Sequence, residues 1–140
     1  MNIFVSYTLR DGCLAINQLS MLEIALASVG NPYIDIIHNR SFHRQSYVER
    51  MLSTADLLLA CITRDFFLSP WVQFEIHSAL RRKIPIFGID SHSLHRFCVL
   101  SKPAHHWLPP TCSDDRPLVP FIPPSGPQVL AECRPTRNAR

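Results

Sequence analysis

The sequence predicts an α/β fold, an open parallel sheet with helices on both faces. Three observations lead there. Across residues 1–102, short strand-like apolar stretches alternate with stretches of helical periodicity in the order βαβαβαβ. Leu57-Leu58-Leu59-Ala60-Cys61-Ile62 is apolar at every position, which suits a strand covered on both faces. The twelve prolines divide unevenly, three in residues 1–102 and nine in residues 103–140. That division separates a regular α/β domain over 1–102 from a Pro-rich, irregular segment over 103–140.

The elements follow in order. Ile3-Phe4-Val5 is a short apolar strand ending in Ser6-Tyr7. Ala15, Leu19, Leu22, Ala25, Leu26 and Val29 then recur mostly at steps of three and four, the mark of a helix with one buried face. Gly30 stops it and Pro32 lies just beyond. Tyr33–Ile37 reads as a second strand and His38–His43 as a polar loop. Residues 44–53 suit a short helix that can bury Tyr47, Val48, Met51 and Leu52. The apolar run 57–62 is the third strand. Ser69-Pro70 opens the next helix as cap and first-turn proline. It runs to about Arg82, where Arg81-Arg82-Lys83 places cations at the negative end of the dipole. Ile84–Ile89 is a fourth strand, with Pro85 near its start. In the Pro-rich segment, Leu118–Ile122 could form a short edge strand and Gln128–Cys133 a helical turn or two.

Composition narrows the function classes. A chain of 140 residues with 46% hydrophobic and 18% charged residues can build a single core and is not a disordered chain. A net charge of +3 is too small an excess to argue for a nucleic-acid partner, and no apolar run approaches the roughly 18 residues of a membrane span. Met1 to Gly12 lack the cationic start and long apolar stretch of a secretion signal. Five cysteines at irregular spacing, with no CxxC, fit reduced thiols in a cytoplasmic protein better than a disulfide framework.

In open parallel sheets, ligands bind beyond the carboxyl ends of the strands. That edge receives Ser6, Tyr7 and Thr8, then His38–His43, then Thr63–Phe67, then Asp90 and Ser91. Glu75 lies about five residues into the helix that starts at the same edge, roughly 8 Å along its axis, so its carboxylate can still face the crevice.

Two segments carry a family resemblance. Phe4-Val5-Ser6-Tyr7, followed by Arg10-Asp11, resembles the opening box of the TIR (Toll/interleukin-1 receptor) domain family. Phe66-Phe67-Leu68-Ser69-Pro70-Trp71-Val72-Gln73-Phe74-Glu75 resembles that family's S-x-W-x-x-x-E box, with Ser, Trp and Glu all at its spacing. The resemblance covers residues 1–90 and implies a flavodoxin-like, TIR-like sheet. It implies one of two functions. Some TIR domains are adaptors that self-associate and recruit other TIR domains. Others, including those of microbial defence, cleave the nicotinamide–ribose bond of NAD and release ADP-ribose or a cyclised product. These enzymes carry a glutamate at the position of Glu75, which makes Glu75 the catalytic candidate of an NAD nucleosidase. NAD is then the substrate, no further cofactor is implied, and the partners are other TIR domains or effectors.

The chemistry suits a single carboxylate. Most glycosidases need two, because a sugar alkoxide must be protonated to leave. The pyridinium of NAD departs as neutral nicotinamide, and what remains is an oxocarbenium-like ribose that needs nearby negative charge. Arg10, Arg40, Arg44 and Arg64 lie near the predicted edge and are candidates to hold the diphosphate, with surface charge as the simpler reading of each. Tyr7, Phe42 and Trp71 are candidates to stack on a base, and Trp71 reads first as core packing. Ser6 and Tyr7 either contact ligand or merely end the strand. The loop His38–His43 lacks the acidic residue and Pro-Gly pair common in the family.

Other chemistries are thinly represented. Asp90, His92, His95, Cys98, His105, His106 and Cys112 are metal-capable but match no standard zinc spacing, and no metal is expected. Phe74-Glu75-Ile76, Ala79 and Lys83-Ile84-Pro85-Ile86 also resemble the glutamate helix and following strand of nucleoside deoxyribosyltransferases, in which the glutamate attacks the sugar.

Overall fold

The computed structural model describes residues 1–100 and 119–120. The strands are β1 (Asn2–Ser6), β2 (Asn31–Tyr33), β3 (Leu57–Ile62), β4 (Ile86–Asp90) and β5 (Val119–Pro120). The helices are α1 (Ile16–Leu26), α2 (Asp35–His38), α3 (Arg44–Ser53), α4 (Pro70–Arg81) and α5 (Ser91–Leu100), with a 3₁₀ turn at Phe66–Leu68. The sheet order is β2-β1-β3-β4-β5. The first four strands are parallel, and β5 joins antiparallel through Phe87↔Pro120 and Gly88↔Val119. This is an α/β flavodoxin-like sheet.

The two faces follow from the two-residue period of a strand. Ile3 and Val5 of β1 pack with Leu57, Leu59 and Cys61 of β3, against Leu19, Leu22 and Leu26 of α1 and Leu94 of α5. Phe4 packs with Leu58 and Ala60 against Val48 and Leu52 of α3 and Val72, Ile76 and Ala79 of α4. The uninterrupted apolarity of 57–62 thus has the expected cause, a cover on each face.

Several boundaries differ from the sequence reading. The second strand covers Asn31–Tyr33, not Tyr33–Ile37, and Asp35–His38 is a helical turn. The turn wins because it supplies its own hydrogen bonds. The Ile34 N–H donates to His38 Nδ1 at 2.9 Å, and the His38 N–H donates back to the Ile34 carbonyl at 2.9 Å. Pro32 is accommodated because β2 lies at the edge of the sheet. Helix α1 ends at Leu26, four residues before Gly30; Gly30 instead lets the chain pass close to β1, since a Cβ there would collide with the Met1 carbonyl oxygen. Ser69 does occupy the cap position of α4 with Pro70 in its first turn, but its hydroxyl makes no capping bond. The fourth strand starts at Ile86, after Pro85.

Residues 91–100 are helical, an element the sequence reading did not assign. Asp90 starts it. One carboxylate oxygen accepts the Ser93 N–H and the other the Ser93 hydroxyl, both at 2.8 Å. The Ser93 amide bond holds the Asp90 carboxyl below its ordinary pKa of 3.8, against a smaller opposing effect of burial. Val119–Pro120 falls inside the expected edge strand 118–122. The expected turns at 128–133, and Cys112, His105 and His106, lie outside the described residues. No helix among the described residues is long and apolar enough to cross a membrane.

Candidate active site

The strand order changes direction between β1 and β3, and the carboxyl ends of these strands flank the switch point where such sheets take ligands. Ser6 ends β1 there. It shares the side of the strand that carries Phe4, two residues earlier, and so meets α4. Its hydroxyl donates to Glu75 Oε2 at 2.7 Å, and both residues are fully buried. Ser6 and Glu75, 69 positions apart in sequence, are therefore brought together. In register beside Ser6 on β3 is Ala60, a small residue.

An adjacent cavity of about 390 Å³ opens between the end of β1, α2 and the start of α3. That is in the lower part of the ~300–1,000 Å³ range of small-molecule sites. Tyr7, Asp35, Ile36, Arg44, Gln45 and Trp71 are among its walls. Neither Ser6 nor Glu75 lines it. Trp71 lies one helical turn before Glu75, on the same face of α4. Tyr7 follows Ser6 directly. Glu75 is fully buried and outside the cavity lining, so the expectation that its carboxylate faces the crevice is not met; its hydroxyl partner Ser6 holds it at the strand end instead.

The cavity walls are polar where α2 meets α3. Asp35, 8% exposed, accepts the Tyr33 hydroxyl at 3.1 Å and the Asn39 amide through Nδ2, and lies 3.6 Å from Arg44 Nη2. The Tyr7 hydroxyl accepts the Ile36 N–H at 3.0 Å. Tyr7 therefore both lines the cavity and holds its far wall. The first turn of α3 contributes Arg44, Gln45 and Ser46 to the lining, and no side chain caps that helix. At this end of the cavity the Arg44 guanidinium, beside the helix N-terminus, is matched by the Asp35 carboxylate 3.6 Å away.

The other sequence candidates fall elsewhere. Arg10 is exposed at the edge and donates its backbone N–H to Thr8 Oγ1 at 3.4 Å. Arg40 is exposed, and Phe42 is 92% exposed on the loop before α3. None of the three lines the cavity. Arg64 is exposed and pairs with Asp65 at 3.3 Å. Of the four arginines considered, Arg44 alone is in the cavity wall. Phe66 is buried in the core as read from the sequence. Among the described residues no group of three metal-capable side chains comes together.

The sequence reading places His43 at this edge with the loop 38–43, but not Asp35, Gln45 or Ser46, which also line the cavity. Asp35 lay hidden inside the misread strand 33–37. The polar run from Ser41 to Ser46, between two apolar stretches, was the available signal.

Across the edge, Asp11 ties the β1–α1 loop to the loop after β3. Its carboxylate accepts the Asp65 N–H at 2.8 Å and the Cys13 N–H at 3.0 Å. Burial opposes its ionisation, but the Asp65 amide, the Thr63 hydroxyl and the Cys13 amide together outweigh that and lower its pKa to about 2. No family model, curated protein or solved structure matches the chain.

Proposed function

We propose that this chain is a TIR-like NAD nucleosidase, a glycohydrolase or cyclase that breaks the nicotinamide–ribose bond with Glu75 as its catalytic carboxylate. One observation supports this most. Glu75 bonds Ser6 at the β1/β3 switch point, and the Trp71 one helical turn before it lines a cavity that also contains Tyr7 and the Arg44–Asp35 ion pair. In this reading the C1′–N bond breaks and its electron pair leaves with neutral nicotinamide. The carboxylate stabilises the positive charge left on the ribose. Either water or a nucleophile of the same molecule then adds to C1′, and the water route releases a proton. Because Glu75 is fully buried, this reading requires a rearrangement that exposes it before substrate can reach it. Self-association through the TIR-like domain is the expected trigger. A cytoplasmic role in immune or defence signalling, with NAD and other TIR or effector proteins as partners, completes the proposal. No nucleic-acid or membrane partner is part of it.

A second reading has its own support. A glutamate sealed from solvent and bonded to Ser6 is also what a non-catalytic interaction module would keep as a structural pair. The two separate on one experiment. Purified protein, at concentrations that allow self-association, is incubated with NAD and, separately, with deoxynucleosides beside a Glu75→Gln variant, and products are resolved chromatographically. Nicotinamide release that falls at least about 1,000-fold in the variant is the expected result. Deoxyribose exchange would point to a deoxyribosyltransferase. No turnover at any concentration would leave the interaction module.

A further inference from the structure

Ser6 stands out on its side of β1. The residues near it on that face, Phe4 on its own strand and Leu58 and Ala60 on β3, are apolar and buried. A hydroxyl in such a place is unfavourable unless it is hydrogen-bonded. Its bond goes to Glu75, with the oxygen atoms 2.7 Å apart, and Ser6 has no exposed surface and no place in the cavity wall. Ala60, in register beside it, leaves room for the carboxylate to come this close. We propose that Ser6 is a positioning residue, which fixes the Glu75 carboxylate at the β1/β3 switch point and makes no contact with substrate itself.

This rests on Glu75 being the catalytic carboxylate. During the reaction the Ser6 proton stays on its hydroxyl oxygen and no bond to Ser6 forms or breaks. Its contribution is orientation: one carboxylate oxygen is pinned, so the negative charge does not wander as positive charge develops on the sugar.

The test uses the full chain under assembling conditions, with NAD as the probe and nicotinamide release as the signal. Ser6→Thr and Ser6→Val have nearly the same shape and differ in the hydroxyl, which separates a lost hydrogen bond from a misfit in the core. Ser6→Ala is the smaller companion, and circular dichroism melts report whether each variant folds. The expected result is a kcat about ten- to a hundredfold lower in Ser6→Val and Ser6→Ala, an unchanged KM, and recovery of most of kcat in Ser6→Thr. A raised KM with kcat preserved would make Ser6 a substrate contact and overturn the proposal. Equal activity of the threonine and valine variants would overturn it too. In both of those outcomes wild-type turnover and its loss in Glu75→Gln keep the underlying reading intact. A wild-type chain that releases no nicotinamide would remove that reading, and Ser6 with it.

Discussion

The Ser6–Glu75 pair and the cavity beside it are neighbours of opposite character. The pair is dry, fully buried, and built from a strand end and a helix that the sheet rigidly positions. The cavity is open and of mixed polarity, built from the α2 turn and the first turn of α3, with an exposed arginine at its rim. The candidate chemistry thus belongs to one region and the room for a ligand to the other. Catalysis by Glu75, as proposed, would require these two regions to be joined.

The strongest way to break that separation is at Trp71. Trp71→Ala removes a nearly buried indole and is expected to cost about 3 kcal/mol in urea denaturation, the lower end of the large-to-alanine range because the side chain already borders a cavity. A loss under about 1 kcal/mol would mean that Trp71 does not hold the wall.

Asp35 comes next. Asp35→Asn keeps an acceptor at Oδ1, where the Tyr33 hydroxyl and Asn39 amide both donate, but removes the charge of both bonds and sets an NH2 against the Arg44 guanidinium in place of Oδ2, with an expected cost of about 2 kcal/mol. Arg44→Ala, at the exposed rim, is expected to cost less than about 1 kcal/mol. A larger loss for Arg44→Ala than for Asp35→Asn would show that the rim, not the buried network, shapes the cavity.

The smallest effect is at Asp11, on the far side of the edge. Its folded pKa of about 2 lies below the ordinary 3.8, so the stability it contributes is present above pH 3.8 and lost as pH falls towards 2. Solvent screening of this carboxylate limits the effect to under about 1 kcal/mol. Asp11→Asn should lower the melting temperature at pH 6 slightly and flatten its decline between pH 4 and 2. A variant with the same pH profile as wild type would show that the loop-to-loop tie is immaterial.

Much of the scaffold was legible in the residues. The apolar run 57–62, the periodic spacing from Leu19 to Leu26 and the Ser69-Pro70 start are local signals, and local signals survive folding. The α2 turn was not legible, because Tyr33–Ile37 has strand-like composition and part of what favours a turn is long-range, such as the Ile36 N–H bond to the Tyr7 hydroxyl. Helix α5 was announced by Asp90 and Ser93, a spacing that reads as a cap once it is sought. Within the site, Glu75 was found by its place in a box of residues, but its burial was not. Burial depends on which neighbours cover a side chain, and that is a property of packing rather than of spacing.

The short edge strand has one more consequence. The Asn31 N–H turns inward to the Met1 carbonyl at 2.8 Å, so the alternation of backbone groups aims the middle residue of β2 away from the sheet. That residue is Pro32, which has no amide hydrogen to offer. A foreign strand seeking to extend the sheet on this side meets a rim without its central donor. This flank of the sheet is thereby a poor place for strand-on-strand pairing between copies of the chain.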